Sequence, residues 1–165
     1  MLEASTAGTE GGERMRRSIN VGVLALALVG LMAAPALAQS GHFVGTQTCT
    51  DIGTQVECSG KVAGLGGTTF RIEVEADGIA SVECANPAGN VAPGQSFDFS
   101  AEGSTGDRET PRNGQFRYTV ATMAPTAPAG SCPNPKWTAT VTDVSFTNIT
   151  LSLFEGDVLV DTATV

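Results

Sequence analysis

The chain is short of the residues that carry chemistry. Histidine occurs once, at His42. A Ser-His-Asp arrangement needs a base held rigidly against its nucleophile, and a base so near the start of the expected domain, where chains are often poorly ordered, is not expected to serve. Aromatic residues make up 5% of the chain, with one tryptophan and one tyrosine. That is too few for the aromatic platforms of a glycosidase cleft, so Glu73 and Glu75 read as a solvated strand face rather than a catalytic pair. No G-x-S-x-G, H-E-x-x-H or GxxxxGK[ST] motif occurs, so the common serine-hydrolase, zinc-protease and nucleotide-loop signatures are missing. No C-x2-C spacing occurs either, which argues against zinc and against a thioredoxin-type thiol pair. Cations are scarce, nine against seventeen acidic residues, for a net charge of −8. A field of that sign repels nucleic acid and anionic lipid.

Long apolar runs are missing too. The apolar stretch Val21–Met32, about a dozen residues, falls short of the ~20 residues a membrane-spanning helix needs. It follows Arg16-Arg17 and precedes Ala36-Leu37-Ala38, the three-part pattern of a secretory signal peptide. Residues 15–38 are therefore expected to be a signal cleaved after Ala38, and residues 1–14 a mis-assigned extension ahead of the true start at Met15. Cleavage leaves Gln39–Val165, a segment of 127 residues, the size of one domain. Fourteen of the acidic and six of the basic residues lie in it. The expected product is extracellular, acidic and free of a membrane span.

All four cysteines, Cys49, Cys58, Cys84 and Cys132, lie in that segment. An even number in a small exported domain predicts two disulfides. Four cysteines allow three pairings. Cys49–Cys58 would staple neighbouring strands across a turn and Cys84–Cys132 would close a long loop, and this pairing is the expectation.

Helical periodicity is almost absent, while short alternating runs recur between turn residues. Phe43–Thr50 and Gln55–Lys61 read as a first strand pair. Residues 68–76 and 79–84 read as a hairpin about Asp77-Gly78, because D-G between alternating runs is a strong hairpin signal. Residues 96–103 and 115–122 alternate next, then a segment opening at Trp137, then a terminal hairpin of 144–154 and 158–165 about Glu155-Gly156-Asp157. Loops are expected over 86–95, 104–114 and 123–135. The fold class is all-β: a disulfide-stabilised, immunoglobulin-like β-sandwich of about 7–9 antiparallel strands, with a jelly roll or small β-barrel as the alternative. Within CPNPKW (132–137), Pro133 and Pro135 stiffen an extended corner. Trp137 is expected to cover the disulfide and fill the core, with an exposed, ligand-binding Trp137 as the rival reading.

Four stretches in order carry a resemblance: CSGKVAGLG (58–66), CANPAGNVAPGQ (84–95), PRNGQFRYTV (111–120) and CPNPKWTATVTDVSFTNITLSL (132–153). Together they resemble a family of small exported bacterial proteins, mainly actinobacterial. The resemblance covers nearly all of 39–165 and implies secretion and a single domain. It implies no activity and supplies no catalytic residue.

The expected function is that of a secreted, non-catalytic structural or interaction module, without cofactor, whose partner is an extracellular protein or an envelope component. The alternative is a sandwich-type carrier of a small apolar ligand. Recognition is expected on loops, with Arg108, Arg112 and Asn113 as candidate contact residues. Asp77, Glu155, Asp157 and Asp161 lie in or beside predicted turns and are the candidates for a calcium site, although no EF-hand spacing is present. Asn148-Ile149-Thr150 fits a glycosylation sequon and reads as incidental.

Overall fold

The structure is a computed structural model that describes residues 41–165. The expected extension, signal peptide and cleavage point lie outside the described residues. Nine strands and no helix occur among those described: β1 (His42–Asp51), β2 (Val56–Ala63), β3 (Thr69–Ala85), β4 (Val91–Pro93), β5 (Phe97–Ser104), β6 (Arg108–Glu109), β7 (Phe116–Ala121), β8 (Thr138–Glu155) and β9 (Val158–Thr164). Every pairing is antiparallel. A small sheet has the order β1-β2-β7. The large sheet is built on β3 and β8, with β9 on the far side of β8 and β6, β5 and β4 in turn along the other edge of β3.

The spine of the large sheet corrects the expected hairpin. β3 runs straight through Asp77-Gly78 as one 17-residue strand. Its inward residues are Phe70, Ile72, Val74, Ala76, Gly78, Ala80, Val82 and Cys84, an unbroken even-numbered series, all buried. The phase of the alternation explains this. A two-residue turn at 77–78 would pair Ala76 with Ile79 and send Ala80, Val82 and Cys84 to the wet face with Glu73 and Glu75. Burial of the even series outweighs the local turn preference of D-G. Gly78 is needed for another reason: a Cβ there would crowd Phe99, Val144 and the Ser145 carbonyl.

β8 corrects a second break, expected between 141 and 144. It is one 18-residue strand with two bulges. Asn148 and Ile149 together oppose Ala76, and Thr142 is inserted between the pairs Ser81–Asp143 and Val82–Val141. Each bulge shifts the phase by one. The inward residues are therefore Ala139 and Val141, then Val144 and Phe146, then Leu151 and Leu153, which face Cys84, Val82, Ala80, Gly78, Val74 and Ile72. Asn148 takes the left-handed conformation at φ 49°, which asparagine tolerates better than most residues.

The two sheets pack face to face over half of this spine. Val56, Cys58 and Val62 of β2 and Tyr118 and Val120 of β7 meet Phe70–Ala76 of β3 and Leu151 and Leu153 of β8. Burying each large apolar side chain contributes about 1.5–3 kcal/mol. Beyond Ala76 the small sheet ends. There the inner face is covered by connecting chain: Gly94 sits against Cys84 and Val82, Gln95 N donates to Ser131 O, and the 51–55 turn accepts Val144 N at Gly53 O.

Both disulfides form, with the expected pairing. Cys49 and Cys58 are directly opposite each other on β1 and β2. Cys84–Cys132 ties the end of β3 to the 122–137 connector across a separation of 48 residues. Closing a loop of that length is worth about 4 kcal/mol in the chain-entropy description.

A candidate binding groove beside Trp137

The candidate site lies at the end of the inner face that connecting chain, rather than the small sheet, covers. The connector leaves β7 at Thr122 and returns to β8 at Thr138, and three local features set its path. Ser131 N and Oγ both donate to Pro128 O, at 3.2 and 2.8 Å. Asn134 Oδ1 accepts Lys136 N at 3.0 Å. Trp137 N donates to Asn134 O at 3.0 Å, closing a turn where an extended corner was expected. The prolines on this path lack amide donors and leave fewer backbone groups to satisfy.

Between connector and sheet run two adjoining hollows that share Ala127 and Ala139. One, of 400 Å³, is lined by Pro128, Ser131, Cys132, Asn134, Pro135 and Trp137 among others. The other, of 270 Å³, is lined by Thr54, Pro125, Thr126, Thr140 and Val141 among others. Trp137 is half-buried and stands outside the hydrophobic core. This corrects the expectation that it fills the core. It lines the wall of an open groove next to the bridged Cys132, where the connector rather than the small sheet roofs the spine.

The groove lining contains no charged side chain. The charge is elsewhere. Outward positions of the large sheet carry Glu73, Glu75, Asp77 and Glu83 on β3, Asp98 and Glu102 on β5 and Asp143 on β8. Arg71 is the cation among them on β3. It pairs with Glu73 at 2.7 Å, donates to Gly156 O at 2.8 Å and lies 4.3 Å from the centre of the Phe154 ring. The Glu73 hydrogen bond raises its pKa above the ordinary value. Arg71 thereby pins β3 to the β8–β9 turn.

The sequence-predicted contact residues are divided among structural tasks. Arg108 belongs to β6, opposite Phe70, with its guanidinium 5.6 Å from the centre of the Phe116 ring. Asn113 Oδ1 accepts Gln115 N. Arg112 is exposed in the turn closed by Gly114 N on Pro111 O. His42 is exposed at the start of β1. The four calcium candidates are not brought together. Asp77 lies mid-strand and accepts Ser100 Oγ at 2.7 Å, Asp157 lies by Arg71, and Asp161 accepts Phe43 N. Among the described residues, no three His, Cys, Asp or Glu side chains gather in a way that could hold a metal ion.

Glu155 is the residue that turn-based reading misplaced. It is fully buried. Its Oε1 accepts Gly41 N at 2.8 Å, and its Oε2 accepts Gly66 N at 3.1 Å and Gly67 N at 2.6 Å. A carboxylate that only accepts, from three backbone amides, is a strong anchor. It binds the chain entering β1 and the 64–67 turn to the end of β8.

Neither protein-family models nor curated proteins give a match to this chain.

Proposed function

We propose that the protein is an exported, non-catalytic binding module for an extracellular protein or envelope component, and that the Trp137 groove is its recognition surface. The observation that carries this reading is the groove itself: an open trough, beside the protein's one tryptophan, with an uncharged lining in an otherwise acidic protein. The expected signal peptide and the two disulfides support export to an oxidising compartment. The lining holds no acid, base or cation, which supports binding rather than turnover. Connecting segments held on a rigid sheet scaffold commonly carry recognition, and the 122–137 connector is such a segment.

The alternative, a carrier of a small apolar ligand, is favoured by one observation, a hollow of 400 Å³, within the ~300–1,000 Å³ of small-molecule sites. Its openness and its hydroxyl and amide groups favour the module. Recovery of the protein from culture supernatant, with mass spectrometry of whatever remains bound, tests both. A bound polymer or polypeptide that shifts Trp137 emission supports the module. A stoichiometric small apolar molecule supports the carrier. A bound partner that leaves Trp137 emission unchanged refutes the groove as the recognition surface.

A further inference from the structure

We infer that the groove takes an uncharged oligosaccharide chain, an inference that rests on the groove being the recognition surface. Three classes of occupant can be compared against the lining. A charged ligand finds no counter-charge there, and the carboxylates of the outer sheet face give the whole molecule a field that repels anions. A fully apolar ligand would strip water from Thr54, Thr126 and Asn134 without replacing their hydrogen bonds, which is costly. An extended peptide satisfies its own amides and carbonyls by pairing with backbone, but Pro125 and Pro128 on the groove wall have no N–H to give. Recognition of proline-rich peptides uses grooves lined by aromatics, and here one aromatic is present.

An uncharged sugar fits each feature that the others do not. A pyranose ring has a face of C–H groups and a rim of hydroxyls. The C–H face can rest on the electron-rich face of the Trp137 indole. The rim hydroxyls both donate and accept, as do the threonine hydroxyls and the Asn134 amide. Polar groups line both hollows, Ser131 and Asn134 in one and Thr54 and Thr126 in the other. That suits a short chain of rings better than a single ring. Because neither side is charged, binding is insensitive to salt, in contrast to association through the acidic face.

The test uses the protein recovered from culture supernatant, with Trp137 emission and backbone-amide NMR shifts as readouts. The probes are cellotetraose, mannotetraose and chitotetraose at millimolar concentration, a proline-rich peptide, and palmitate. The expected result is a saturable change with at least one of the sugars, at Trp137, Ala139 and Val141, unchanged by added salt. Trp137→Ala weakens it by at least about tenfold, the scale of hot-spot truncation, and Trp137→Phe weakens it less. Thr126→Arg, at an exposed connector position, abolishes binding without touching the core, and so keeps the test valid if Trp137→Ala is poorly folded. Silence from all three sugars overturns the inference. If palmitate or the peptide alone moves Trp137, the sugar is refuted while the groove stands. If a natural partner binds and moves only resonances of 108–113, both the sugar and the groove are refuted.

Discussion

Glu155→Gln is the substitution that most directly tests how this fold is closed. The side chain keeps its size and loses one acceptor. With the remaining oxygen facing Gly66 N and Gly67 N, the new amide faces Gly41 N, donor against donor. With the oxygen facing Gly41, two donors are left facing the amide instead. Either way at least one buried amide loses its partner, which costs about 1–3 kcal/mol. The bonds that remain lose the assistance of the charge, about half their strength. The sum is about 2–4 kcal/mol, and for a domain of this size that lowers Tm by roughly 10 °C. The effect is also local. Gly41, Gly66 and Gly67 lose amide-exchange protection first, while Ile72 and Val74 in the centre of β3 keep theirs. Gly41→Ala gives the complementary perturbation, because a Cβ at Gly41 would collide with Glu155 Oε1. The reasoning fails if Glu155→Gln melts within a degree or so of the parent, or if protection falls evenly over the domain.

Other measurements follow from particular groups. Tyr118 is buried and donates to Gln47 Oε1 at 2.7 Å, and burial pushes its pKa up to about 12. The folded state therefore holds the phenol proton more tightly than the unfolded chain, whose tyrosine titrates near 10. Stability from this group is complete below about pH 10 and falls by about 2–3 kcal/mol as pH rises towards 12. Denaturant midpoints that stay level over that range refute it. Replacing Cys84 and Cys132 together with serine costs about 4 kcal/mol on loop-closure grounds and shifts Trp137 emission, because the bridge holds the groove wall. An unchanged emission spectrum shows that the wall stands without it. Arg112→Ala, at an exposed turn, changes Tm by less than about 0.5 kcal/mol equivalent, whereas Arg108→Ala loses its contact with Phe116 and about 0.5–1 kcal/mol. Equal effects from the two contradict the division of roles described for that loop.

Much of the fold is legible in the phase of its alternation, and the misreadings come from giving local signals precedence over phase. Asp77-Gly78 is a hairpin signal by composition, yet the even-numbered apolar series runs through it unbroken. Following the series to Cys84 gives the single long strand. The same rule recovers Glu155: Leu151 and Leu153 point inward, and so does the next residue in phase, whereas the turn residues Gly156-Asp157 suggest an exposed carboxylate. Its partners could not be read, because Gly41 and the 64–67 turn are brought to it only by the tertiary fold. The β8 bulges are harder to read. Two phase changes within one strand look like strand ends, and only the partner strand shows that pairing continues across them. For Trp137, the composition of CPNPKW marks a cysteine that is disulfide-bonded but says nothing of how far the small sheet reaches.

That reach decides the position of the groove. The spine of the large sheet is an uninterrupted apolar surface from Phe70 to Cys84, while β2 and β7 are long enough to cover it only to Ala76. The remainder, Ala80, Val82, Cys84, Val144, Val141 and Ala139, must be covered by chain that is not sheet. Proline suits this task, because a segment lying over an apolar face has few ways to satisfy its own amides. The bridge from Cys84 to Cys132 holds the cover down at its far end, so the roof needs no continuous packing along its length. A tethered roof that does not pack everywhere leaves a trough beneath it, lined by the small apolar residues of β8 and the polar side chains of the connector. The outward carboxylates Glu73, Glu75, Asp77, Glu83 and Asp143 cannot enter this trough, since they occupy the opposite phase of the same strands, and the inward Glu155 is held at the other end of β8 by Gly41, Gly66 and Gly67. The alternation that builds the core thus also places charge on one face of the large sheet and an uncharged groove on the other.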